Sequence, residues 1–319
     1  MATQSQKGKA FEYATVKAIN DYYVNSGGTC SISCDNAFIV ARDNYDNKLI
    51  TTEQIDYLAA ATTGLNYILT LEPILADFSS DLEVRIADDS LGINGDVRDV
   101  ILSKPTCNWE IGISCKHNHQ ALKHQRLSKS IDFGYSWAGY PVSQLYWNDI
   151  EPIFQSLEQF RMNRVNWRDL GQYNFDKVRD VYTPLLTAFL NEFNRLDAIH
   201  NDLAPKFMEY LAGRKDFYKF EMQERSNEIS IYSYNLRGDL GQSSNQLPVV
   251  ALPTTFINKD WKVNRNGTIS DNTLIIEMDN NWTVGLRLHS AASLVETSLK
   301  FDSQPIELPQ SLIVSTYNY

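Results

Sequence analysis

The sequence predicts an α/β (α+β) protein with a helical middle region and a β-rich C-terminal region. Three observations carry that expectation. Apolar residues at helical spacing open the chain, two short apolar strands with a hairpin-sized connection follow near residue 100, and from about 216 the pattern changes to alternation,.

In order along the chain, Phe11, Ala14, Ala18 and Ile19 mark one apolar face of a first helix, and residues 53–75 read as a second,. Asp99 leads into the strand Val100-Ile101-Leu102, Pro105-Thr106-Cys107-Asn108 supplies turn chemistry, and Trp109 to Lys116 is the partner strand,. Residues 150–215 are helical, with Ile153, Phe154, Leu157 and Phe160 and then Val181, Leu185, Leu186, Phe189, Leu190 and Phe193 facing a core,. Beyond them, 228–234, 273–278 and 282–289 are strand-like, the last two joined by a turn at Asp279-Asn280-Asn281,. This suggests residues 1–215 as one domain with a helical insertion and 216–319 as a second, β-rich one, or a single integrated domain,.

Composition excludes more than it selects. A hydrophobic fraction of 43% and a charged fraction of 21% are those of an ordinary water-soluble chain,. No apolar run approaches the roughly 20 residues of a membrane-spanning helix,. Four cysteines without paired spacing and no secretory leader suit a reduced, cytoplasmic protein rather than a disulfide or zinc framework,.

The strands near residue 100 hold the chemistry. Side chains alternate along a strand, so Glu110, Gly112, Ser114 and Lys116 share one face while Ile111, Ile113 and Cys115 share the other,. Antiparallel pairing brings Asp99, or as second choice Asp96, toward that strand. Acidic oxygens that hold Mg²⁺, with a cation beside the attacked phosphate, are what metal-dependent phosphodiester cleavage requires. Such a short pattern is weakly specific, and a polar-faced hairpin has the same letters. Its neighbour adds weight: residues 116–129 hold four Lys or Arg, three His and no acid, in a chain of formal net charge −10. Cations gathered on one surface let an acidic protein meet a polyanion, although a solvated charged helix reads the same way. His117-Asn118-His119 are adjacent and point in different directions, so they cannot form a His/Asn metal finger,.

Taken together, Gly-Asp-Val-Arg-Asp-Val-Ile at 95–101, Glu-Ile-Gly-Ile-Ser-Cys-Lys-His-Asn-His at 110–119, Lys-His-Gln-Arg-Leu-Ser at 123–128 and Asp132-Phe133-Gly134 resemble the HaeIII-like type II restriction endonucleases. The run from Trp282 to Asp302 is similar to a segment of restriction enzymes, so the resemblance spans about residues 7–302. It implies a PD-(D/E)xK nuclease core with a mixed sheet flanked by helices. It also implies Mg²⁺-dependent cleavage of double-stranded DNA at GGCC, and a cognate DNA methyltransferase. A palindromic target suggests a homodimer.

The chain departs from the family core at Ser114, where an acid two residues before the catalytic lysine is usual. A serine cannot supply that charge. The expected ligands are therefore Asp99 and Glu110, with Asp96 and the first-helix Glu12 as further candidates, and Lys116 as the cation at the reacting phosphate. For a G·C target, whose major groove presents guanine acceptors, Arg287, His289 and Lys300 are the leading DNA-binding candidates, with His119, Lys123, His124 and Arg126 as a second set. A DNA-binding protein without catalysis and a metal-dependent hydrolase of small phosphate esters are the competing readings.

Overall fold

In a computed structural model, which describes residues 2–88, 96–118, 120–242, 244 and 247–319, the chain opens on α1 (Gln4–Asn25). Thr3 starts this helix: its hydroxyl accepts from the Gln6 amide, and the Gln6 side chain accepts from the Thr3 amide,. The expected stripe of Phe11, Ala14, Ala18 and Ile19 is buried, and α1 packs on the sheet that carries the two expected strands.

That sheet has seven strands: β1 (Cys30–Ile32), β2 (Leu82–Ile86), β3 (Val100–Lys104), β4 (Trp109–His117), β6 (Phe217–Gln223), β7 (Glu228–Tyr234) and β12 (Ile313–Asn318), in the order β1-β2-β3-β4-β6-β7-β12. It is mixed: β1 runs parallel to β2 and β4 parallel to β6, while the other pairs are antiparallel. Together with α1, α2 (Asn36–Lys48) and α3 (Thr51–Leu71), it belongs to a unit made of Met1–Gln120, Gly213–Ala251 and Gln310–Tyr319. Ile111, Ile113 and Cys115 of β4 join its core, and each buried isoleucine contributes roughly 1.5–3 kcal/mol,.

The β3–β4 hairpin turns through Pro105–Cys107 and Asn108, which takes a left-handed backbone with φ 51°,. A parallel β4–β6 pair needs a long crossover. Here, most of the intervening chain belongs to the second unit, Ala121–Ala212 and Leu252–Pro309. The boundary expected at 215/216 thus falls near one of the chain's several passages between units, and β6, β7 and β12 complete the first sheet.

The second unit has an antiparallel sheet in the order β5-β11-β10-β9-β8, from β5 (Lys123–Ser128), β8 (Phe256–Val263), β9 (Ile269–Met278), β10 (Trp282–His289) and β11 (Ser298–Glu307). The helices α4 (Phe133–Ala138), α5 (Gln144–Met162), α6 (Thr183–Ile199) and α7 (Leu203–Ala212) form the expected helical region. One face of the sheet is apolar, with Leu127, Leu299, Phe301, Leu286 and Leu288 buried. Phe301 meets Phe189 of α6 edge-on at 4.9 Å between ring centroids. The alternate residues of the same strands form the opposite, polar face. No helix among the described residues is long and apolar enough to cross a membrane.

Candidate active site and nucleic-acid interface

Asp99 stands at the entry to β3, where its amide donates to the Ile113 carbonyl at 2.9 Å and its carbonyl accepts from Ala87 at 2.8 Å. Backbone pairing on both sides therefore fixes the carboxylate beside β4. Its Oδ2 accepts from the Cys115 amide at 2.7 Å, the Ser114 hydroxyl at 3.0 Å and Lys116 Nζ at 3.2 Å. The Oδ1 atom takes none of these bonds. Burial acts to lower the Lys116 pKa, but the charge and hydrogen bond of Asp99 outweigh it and the net shift is upward.

Glu12 reaches the same cluster from α1. It is 6% exposed, and burial, with Asp99 as the next cause, pushes its carboxyl up to about 8 despite Lys9 at 3.2 Å and the charge of Lys116. Crowded acids of this kind are relieved by a cation. The structure thus brings together Glu12, Asp99 and Lys116 from three separate elements.

Glu110 and Asp96, the other two expected ligands, are both engaged by Arg98. Arg98 donates to both Asp96 oxygens at 2.8 Å and, through Nη1, to Glu110 Oε1 at 2.8 Å. Lys215 lies 3.3 Å from the same Glu110 oxygen. Burial raises the Asp96 and Glu110 pKa values, but Arg98 outweighs it and both are lowered. Strand geometry sets Glu110 apart: it shares the parity of Ser114 but sits four residues away, about 13 Å along the strand. The Arg98 side chain covers the gap by crossing Gly112, where a Cβ atom would lie 2.1 Å from Arg98 Cδ.

Two further features escaped the sequence reading. Ser114 is a donor to Asp99, so the residue standing where an acid is usual orients the carboxylate that remains. On the neighbouring β6, Lys219 and Glu221 lie in register with Ser114 and Lys116 and form a buried pair at 2.8 Å. The Lys-x-Glu alternation at 219–221 was the available signal. Burial lowers the Lys219 pKa even with Glu221 beside it.

The basic segment divides. His117 is buried, with Nε2 2.9 Å from Glu224, which also pairs with Lys7 at 3.0 Å and accepts from Tyr57 Oη at 3.1 Å. The end of β4 is thus latched internally rather than presented to a partner. His119 lies outside the described residues. From Lys123 onward the chain forms β5, which lays the expected residues into register on the polar face of the second sheet. One cross-strand row is His124–Asp302–Arg287 and the next is Arg126–Lys300–His289. Five of the seven expected DNA-binding residues thus gather on three adjacent strands from segments about 160 residues apart. Lys123 has the opposite parity: its ammonium sits 3.7 Å from the Tyr210 ring centroid and donates to the Tyr210 carbonyl at 3.3 Å.

Asp302 binds the rows together. Its Oδ1 is 2.5 Å from His124 Nδ1 and its Oδ2 is 2.7 Å from His289 Nε2. Burial raises the Asp302 pKa, but the two imidazoles more than offset this and hold it at about 2. Arg287 is exposed, and Arg126 is tied to the Ser298 carbonyl at 2.7 Å.

The family model for HaeIII restriction endonuclease matches residues 8–309. The chain is 36% identical over 316 residues to the type II restriction enzyme HaeIII of Haemophilus aegyptius, covering 97% of this chain and 96% of that protein. No solved structure matches. With a match that runs from α1 through β11 and includes both the Glu12–Asp99–Lys116 cluster and the polar sheet face, the chain belongs to the HaeIII restriction endonuclease family and is an enzyme of the type II restriction class.

Proposed function

We propose that the protein hydrolyses backbone phosphodiesters of double-stranded DNA at the palindrome GGCC, in a Mg²⁺-dependent reaction at Glu12, Asp99 and Lys116 on a PD-(D/E)xK-type core. The observation that carries this reading is the meeting of Asp99 Oδ2 and Lys116 Nζ at 3.2 Å beside the buried carboxyl of Glu12.

The donor set suits a hard divalent cation. Among the described residues, no three His, Cys, Asp or Glu side chains converge as a self-sufficient metal site. Magnesium does not need one, because it commonly binds through one or two carboxylates, waters and substrate phosphate oxygens. Glu12 and Asp99 are the residues that would hold it, with Glu110 and Asp96 engaged by Arg98 instead. Mg²⁺, when bound, supplies Lewis-acid stabilisation of negative charge at the phosphate and the leaving oxygen.

The chain's own residues do the rest. Ser114 and the Cys115 amide orient Asp99, and Lys116 orients the attacking water and offsets charge on the phosphate as it becomes five-coordinate. The polar face of the second sheet holds the DNA, with Arg287, His289, Lys300, His124 and Arg126 contacting phosphates and bases. A palindromic target favours a homodimer on DNA, and a type II nuclease in the cytoplasm pairs with a methyltransferase that protects the same sequence.

Incubating plasmid with the protein and Mg²⁺ should give discrete fragments whose ends all map to GGCC sites, and chelator should abolish them. Lys116→Ala should abolish cleavage while binding to the same duplex persists. Cleavage by Lys116→Ala near the wild-type rate would remove this lysine from the site. Fragments with a different shared end would overturn the GGCC assignment alone.

A further inference from the structure

On the polar face of the second unit's sheet, the feature that electrostatics alone does not explain is Asp302. A surface that attracts phosphates gains from cations and loses from a carboxylate. Yet Asp302 sits between Arg287 and His124 in one row and beside Lys300 on its own strand. Its side chain is 8% exposed, and each oxygen is committed to a different histidine from a different strand.

We propose that Asp302 is a positioning residue for sequence discrimination, fixing the His124 and His289 rings so that this face distinguishes the target from other DNA. This rests on the reading of the face as the DNA surface. Attraction to phosphate is tolerant of geometry, whereas reading a base edge requires donors and acceptors held to about half an ångström. A carboxylate on one ring nitrogen sets which nitrogen carries the proton and which way the ring lies. His289 is tied at both ends, Nε2 to Asp302 and Nδ1 3.1 Å from the Ser290 carbonyl, so it contributes a ring edge of fixed position and not a base-reading nitrogen. His124 is anchored through Nδ1 at 2.5 Å. The arrangement gives up some general attraction to DNA in exchange for two rings of fixed orientation. Asp302 thus raises the ratio of specific to non-specific affinity.

The sign of the effect separates this role from a structural one. Removing the negative charge should leave non-specific binding unchanged or stronger, while weakening binding to the target. The experiment measures the affinity of the full chain, without divalent metal, for two duplexes: one carrying the site that the wild-type protein cuts, and one with that site scrambled. For Asp302→Asn, target affinity should fall roughly tenfold, the scale of one lost base-reading contact, with scrambled-duplex affinity equal or higher. Equal losses on both duplexes, or no change on either, would overturn the proposal. If Asp302→Asn does not fold, His124→Gln and His289→Gln carry the test, each expected to lower target affinity more than scrambled affinity. In a cycle, Asp302→Asn added to the double histidine variant should cause little further loss of target affinity.

Arg287→Ala and Lys300→Ala, measured alongside, keep the two levels of inference apart. If neither changes affinity for either duplex, the face is not the DNA surface and both readings fail. If they weaken binding while the Asp302 and histidine variants leave the ratio unchanged, only the role of Asp302 fails.

Discussion

At the scale of single residues, the decisive distinction is between two carboxylates on or beside the same sheet. Glu110 has the right parity and the wrong position; Glu12 is far away in sequence and is carried to Asp99 by a helix. The structure therefore predicts unequal outcomes for the same substitution. Glu12→Gln should reduce cleavage by roughly 10²-fold or more, the scale of losing one electrostatic partner at the reacting centre. Glu110→Gln should keep cleavage within a few-fold of wild type and cost about 1 kcal/mol of stability, through a weakened Arg98 contact. Cleavage rates and denaturant midpoints for the two variants check this, and the reverse ranking would return Glu110 to the site. The candidacy of Glu12 was legible in the sequence. Its selection was not, because nothing local to residue 12 records that α1 packs on β4.

At the scale of elements, β4 works because one of its residues has no side chain. Arg98 lies over Gly112 and is held by Asp96 on one side and Glu110 on the other. Gly112→Ala should push the guanidinium out of this seat and destabilise the protein by about 1–3 kcal/mol, as overpacking does, which thermal unfolding would measure. A shift in melting temperature of less than a degree would show that Arg98 repacks freely.

The second sheet has its own signature in acid. Because the folded protein holds Asp302 at about 2, below its ordinary value of 3.8, the ionised carboxylate stabilises the fold at neutral pH. That contribution is present above pH 3.8 and is lost as pH falls toward 2,. The stability gap between wild type and Asp302→Asn should therefore narrow as pH falls through that acidic window,. A gap independent of pH would contradict the ion-pair geometry. The segment 282–289 was legible as a strand, and 116–129 only as a basic segment that a charged helix would also explain. Their adjacency came from β11, which pairs with each.

At the scale of the whole molecule, an acidic chain acts on an acidic polymer, and in the proposed interface the rows Arg126–Lys300–His289 and His124–Asp302–Arg287 would let local charge prevail over net charge. Removing a phosphate-contacting cation should reduce the slope of log affinity against log salt by about one. Arg287→Ala and Lys300→Ala, titrated with duplex at several salt concentrations, sort the two residues. A reduced slope with equal loss on target and scrambled DNA marks a phosphate contact, and a loss confined to the target marks a base contact.

The sequence by itself determined the first helix, the helical middle region, the hairpin that bears Asp99 and Lys116, and the family, because periodicity and contiguous motifs are local properties. Only the tertiary structure decided which acid stands beside Asp99, that the chain returns to its first sheet after residue 213, and that residues near 125, 288 and 301 share one face. Those facts depend on strand pairing and helix packing between distant segments, and no local pattern encodes a register between strands separated by some 160 residues,.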